Sequence, residues 1–127
     1  EAAERMARID AAVALARQSP PDLIRQDAAA FVEDALTRPQ PRGVTRVLFH
    51  SIVWQYIPDH QQQRIHNAME DAAKQATPDQ PLAWIMLETN RQTFRHELHV
   101  RHWPGAAELH LLACAHPHGA WVEWLAG

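Results

Sequence analysis

Val44-Thr-Arg-Val-Leu-Phe-His-Ser-Ile-Val-Trp-Gln-Tyr-Ile57 is the most apolar stretch of the chain. Val44, Val47, Leu48, Phe49, Ile52 and Val53 are β-branched, aromatic or aliphatic, and they show no clean alternation. Such a near-continuous run predicts a strand covered on both faces, as in a parallel sheet. His50 and Ser51 fall near its carboxyl end. Leu82-Ala-Trp-Ile-Met-Leu-Glu88 reads as a second buried strand. Between the two, Asp59 with Gln62 three residues on has the pattern of a capping box. Ile65, Met69, Ala72, Ala73 and Ala76 then recur at helical spacing and predict an inward stripe. Strand, helix, strand is the unit of a parallel sheet.

Working toward the start, Asp27 reads as the N-cap of a short helix over Ala28 to Thr37. Phe31, Val32, Ala35 and Leu36 are its expected inner face. Asp22–Gln26, with Leu23 and Ile24 at its centre, reads as a short buried strand or an extended approach to that helix. Ala2, Met6, Ile9, Val13 and Ala16 form the stripe of a first helix, which Ser19-Pro20-Pro21 ends. Toward the end of the chain, Phe94 to Trp103 alternates, Pro104-Gly105 marks a turn, and Glu108 to His116 is a further strand. Pro117-His118-Gly119 is a second turn before a last strand over Ala120 to Leu125, where one of Trp121 and Trp124 is expected to cover the core. The loop between Glu88 and Phe94 is too short for a crossover helix and favours an antiparallel neighbour. The expected class is α/β: a mixed sheet with parallel core strands flanked by helices and a C-terminal antiparallel hairpin or meander.

The 127 residues suit a single domain, 1–127, with a real core. Twelve Lys and Arg against 15 Asp and Glu leave a net charge of −3, so no basic excess is available for a phosphate backbone and no nucleic-acid partner is expected. No apolar run reaches the length of a membrane span, and no signal-peptide pattern opens the chain. A cytoplasmic protein without a membrane partner is the expectation. The single cysteine, Cys114, lies in an apolar strand and reads as an inert core thiol. Nine histidines raise the question of a metal. No His-x-x-x-His stands on a helix to start a ligand set, so no metal is expected.

Arg8-Ile-Asp-Ala-Ala-Val-Ala-Leu-Ala-Arg17, His50-Ser-Ile-Val-Trp-Gln-Tyr-Ile-Pro58, Pro81-Leu-Ala-Trp-Ile-Met-Leu-Glu88, Trp103-Pro-Gly105 and His116-Pro-His-Gly-Ala-Trp-Val-Glu-Trp124 resemble an uncharacterised bacterial domain family whose members exceed one small domain. The resemblance implies kinship and names no reaction. The order of elements also resembles the later half of an S-adenosylmethionine-dependent, Rossmann-like methyltransferase fold. That likeness implies that Asp22–Gln26, Val44–Ser51 and Leu82–Glu88 are its third, fourth and fifth strands. It implies that the chain is the C-terminal portion of a longer protein. Asp27 and Ala28 would then lie beside the adenine of the cofactor, and His50, Ser51 and Tyr56 near the methyl acceptor. S-adenosylmethionine would belong to the complete protein and not to this chain alone, because the Gly-rich first turn and the acidic ribose-binding position are absent here.

Each candidate has a structural reading beside the functional one. His50 accepts or donates a proton at a strand mouth, or bonds to a neighbouring loop. Trp54 stacks on a planar ligand or packs its loop on the next helix. His116 and His118 present imidazoles to a ligand, or decorate a Pro-Gly turn. Asp27 reads an adenine or caps its helix. The rival to an enzyme is a non-catalytic binding or self-association domain. Without the first strands a sheet edge and an apolar face stay uncovered, so a homodimer or the missing N-terminal half is the expected partner.

Overall fold

The structure, a computed structural model, describes residues 2–125. The helices are α1 (Ala2–Gln18), α2 (Ala28–Thr37) and α3 (Asp59–Ala73). The strands are β1 (Arg46–Ser51), β2 (Leu82–Thr89), β3 (His96–Trp103), β4 (His110–Ala115) and β5 (Val122–Trp124). A single 3₁₀ turn, Trp54–Tyr56, follows β1. All five strands join one sheet in the order β1-β2-β3-β4-β5. β1 and β2 run parallel with α3 as their crossover, and every later pair is antiparallel. The fold is therefore mixed α/β. Its C-terminal part is a meander in which each strand lies beside the one before it.

Local chemistry explains the meander. After β2, the Asn90 side chain accepts from the amides of Gln92 and Thr93, and the Asn90 amide donates to the Arg95 carbonyl. An Asn that bonds to the backbone just ahead of it turns the chain at once. So short a connection returns the next strand antiparallel.

α2 and α3 both pack on one face of the sheet. Ala29 and Val32 from α2, Ile65 and Met69 from α3, Leu82 and Trp84 from β2 and Trp103 from β3 form the core. Asp27 caps α2 as expected, accepting the Ala30 amide at 3.0 Å. Ile65 and Met69 carry the α3 stripe, and Cys114 is buried. No helix among the described residues is long and apolar enough to cross a membrane.

Several expectations are corrected. β1 is covered on one face only: Leu48 packs on the core, while Val47 and Phe49 point away, Phe49 60% exposed. It is one of the two edge strands, and both packed helices lie on the other side from those residues. Asp22–Gln26 forms no strand and is exposed, because no described segment lies alongside to complete a ladder. The stripe of α1 faces solvent, and no α1 residue is buried. Phe31 is partly exposed, and Ala29 takes the core position instead. The cap of α3 is Pro58, with Asp59 already inside the first turn. Proline has no amide for Gln62 to bond in a capping box, and Gln62 donates to the carbonyls of Trp54 and Ile57. Neither Trp121 nor Trp124 covers the core; both are at least half exposed at the free edge.

Candidate functional site

β1 and β2 end at the same edge of the sheet, as parallel neighbours must. His50 lies opposite Met86 in the register, and Glu88 is the next residue of β2 on that face. His50 Nδ1 and Glu88 Oε1 are 2.7 Å apart. The indole N–H of Trp84 donates to His50 Nε2 at 3.0 Å. An indole nitrogen only donates, so Nε2 accepts and the ring proton sits on Nδ1, directed to Glu88. The same Glu88 oxygen accepts the amides of Val53 at 3.1 Å and Trp54 at 3.2 Å. One carboxylate oxygen thus ties the end of β2 to His50 and to the start of the 3₁₀ turn.

Aromatic rings close around this network. Trp54 stacks on His50 with centroids 4.9 Å apart and planes at 18°. His66, on α3, leans on Trp84 at 4.8 Å and meets the edge of Trp54 at 5.6 Å. Partial burial lowers the His66 pKa, the positive charge of Arg101 lowers it further and His50 adds to the shift, while Glu70 opposes it. Beside His66 a cleft of about 350 Å³ is lined by Met86, Arg101, Glu108 and Leu109. Arg101 is already paired with Glu70 at 2.6 Å and lies over the Trp103 ring.

The structure brings three of the candidate residues together and separates the rest. Ala28, His50 and Trp54 line one apolar recess of about 200 Å³, with Phe31, Val53 and Ile57. Asp27 stands at the mouth of α2, occupied by the Ala30 amide and 3.9 Å from Arg64. Ser51 follows His50 in β1, so strand alternation turns it to the opposite face of the sheet. Tyr56 ends the 3₁₀ turn and is 75% exposed. His116 and His118 belong to the β4–β5 turn, where the His118 amide donates to His116 Nδ1 at 3.1 Å. That turn shares the sheet edge with His50 but lies three strand spacings away, about 14 Å.

Ile52 has φ of 51°, a left-handed conformation that a β-branched residue adopts only under strain. Its amide donates to the Leu87 carbonyl at 2.9 Å, which anchors the bend between β1 and the 3₁₀ turn. The bend is what sets Trp54 over His50.

Sequence reasoning missed Glu88, Trp84 and His66. Trp84, Met86 and Glu88 have the same parity in β2, so a carboxylate at the end of a buried tryptophan's face was a usable signal. His66 flanks the Ile65–Met69 stripe on α3 and carried no signal of its own. Among the described residues no three His, Cys, Asp or Glu side chains stand close enough to hold a metal ion.

Fold and site together define a mixed α/β domain with a fixed polar and aromatic cluster at the carboxyl ends of its one parallel pair. The family that matches residues 1–124 is DUF2332, described as an uncharacterized protein conserved in bacteria, and the chain belongs to it. No curated protein and no solved structure matches the chain.

Proposed function

We propose that the chain is the acceptor-binding portion of a methyltransferase-related α/β domain. A small molecule binds beyond the carboxyl ends of β1 and β2, and S-adenosylmethionine supplies the methyl group in the complete protein. The observation that carries this reading is the His50–Glu88–Trp84 network at that edge, beside the recess lined by Ala28 and Trp54. In open α/β sheets, ligands settle beyond the carboxyl ends of the strands. The parallel unit of β1, α3 and β2 is a second support, although the strand that the likeness needs at Asp22–Gln26 does not form.

The recess suits a flat ring such as a purine, since its walls are apolar and aromatic. At about 200 Å³ it is smaller than the roughly 300–1,000 Å³ of whole-ligand pockets. No acidic side chain lines it, and the Asp27 carboxylate is engaged with the Ala30 amide. The residues present fit the base and not the whole cofactor. The chain's own contribution is positional: the network holds the His50 ring, and Trp54 excludes water above it. Methyl transfer depends chiefly on alignment of the reacting atoms, so positioning is the relevant work.

A non-catalytic binding domain is the second reading, and one observation favours it. Both ring nitrogens of His50 are engaged, Ser51 lies on the other face and Tyr56 stands in solvent. The two readings separate on titration of adenosine into this chain and of S-adenosylhomocysteine into a longer family member. The methyltransferase reading expects both to bind, with Trp54→Ala weakening adenosine about tenfold. Adenosine binding by this chain with no S-adenosylhomocysteine binding by the longer protein would leave the non-catalytic reading. Binding of neither would sink the methyltransferase reading.

A further inference from the structure

The sheet face turned away from α2 and α3 is apolar; Ile85, Leu87, Leu98 and Val100 on it are half-buried and Ala113 is buried, while its two ends are exposed. In register, Leu87, Leu98, Ala113 and Trp124 form one row across β2 to β5, and Phe49, Ile85 and Val100 form another. Phe49 and Trp124 at its two ends are more than half exposed. The same chain carries a helix with no buried residue, which meets the rest of the fold at His118, where Arg5, Arg8, Ile9 and Ala12 line a shallow recess with it. Met6, Ile9 and Val13 lie along one side of α1, and all are exposed. A helix of 17 residues is about 25 Å long, enough to cross five strands spanning about 19 Å.

We infer that two copies of this chain associate by seating the apolar stripe of α1 from each copy on this sheet face of the other. Three observations favour a second copy as the occupant. First, area: the chain exposes 9155 Å², whereas a compact monomer of 14.4 kDa exposes about 6,800 Å². Hiding that excess on both copies removes roughly 4,600 Å², within the roughly 2,000–5,000 Å² of obligate homodimers. Second, each copy carries both complementary surfaces, so a two-fold exchange closes and leaves neither unpaired. Third, residues 19–27 leave α1 as an exposed, non-helical connection beginning Ser19-Pro20-Pro21. Proline fixes its own backbone and keeps its predecessor extended, so α1 stops there and is joined to α2 by an extended segment. A lone helix of this length is marginal in water, so its helicity depends on docking.

Sedimentation of the purified chain over a dilution series tests this. The wild type is expected at twice 14.4 kDa, losing helical circular dichroism as dilution dissociates it. Met6→Glu with Val13→Glu, and separately Trp124→Lys, are expected to give monomers that still show a cooperative thermal transition. None of these side chains belongs to the core, so misfolding is not the expected route to a monomer. A wild type that is monomeric at every concentration overturns the inference. So does a dimer indifferent to both sets of substitutions, which would place the contact elsewhere.

Discussion

Glu88 Oε1 takes three donors, His50 Nδ1–H and the amides of Val53 and Trp54. Glu88→Ala leaves all three without their partner. The expected loss is about 2 kcal/mol or more, since hydrogen bonds to a charged acceptor and orphaned donors weigh more than neutral pairs. Glu88→Gln keeps an oxygen in place and should cost clearly less; urea denaturation of the two variants measures the difference. His66 gives a prediction about pH. Partial burial first and Arg101 second lower its pKa from 6.5. Between that lowered value and 6.5 the unfolded chain binds a proton that the folded chain binds less well, so stability rises with pH there. The contribution is complete above 6.5 and is lost as the pH falls. His66→Gln should flatten the rise of the urea midpoint with pH below 6.5 and leave it unchanged above. His50 was legible as a candidate because it ends an apolar strand. Its partner was not, because Glu88 is 38 residues away in the chain and only the β1–β2 register sets them side by side.

α2 shows how far an element can be read locally. An Asp before an Ala-rich apolar run identified both its cap and its length, because the Asp27 bond to the Ala30 amide spans three residues. Asp27→Ala is expected to cost about 1 kcal/mol, read as a lower midpoint in urea, with Asp27→Asn restoring most of it. α3 was legible in its stripe and misread at its start, where Pro58 supplies the extended cap conformation. α1 and Asp22–Gln26 mark the limit. Helical spacing identified α1 as a helix, yet periodicity says which side is apolar and not whether anything covers it. Leu23 and Ile24 looked like the centre of a strand, but a strand exists only with a neighbour, and Leu23 is 87% exposed.

At the scale of the molecule, one side chain joins the elements. Trp84 is fully buried among α2, α3 and β3 residues and also donates to His50. Trp84→Ala is expected to cost about 3–5 kcal/mol, a large share of the roughly 5–15 kcal/mol that holds a domain folded. Trp84→Phe separates packing from hydrogen bonding: it keeps most of the core and leaves His50 Nε2 without its donor. Thermal melts of the two variants, followed by circular dichroism, should fall in that order. The two-layer arrangement places both packed helices on one face of the sheet and none of the core cluster on the other.

Local patterns in the sequence determined the helices, the strand–helix–strand unit of β1, α3 and β2, and the antiparallel neighbour that follows β2. Those depend on spacing, caps and turn residues that act over a few positions. Only the tertiary structure decided which strand faces are covered, that α1 is left uncovered, and that His50, Glu88, Trp84 and Trp54 meet. Those depend on which distant segments share a sheet register. A register shift of one residue would turn each side chain to the other face, and nothing local to His50 sets that register.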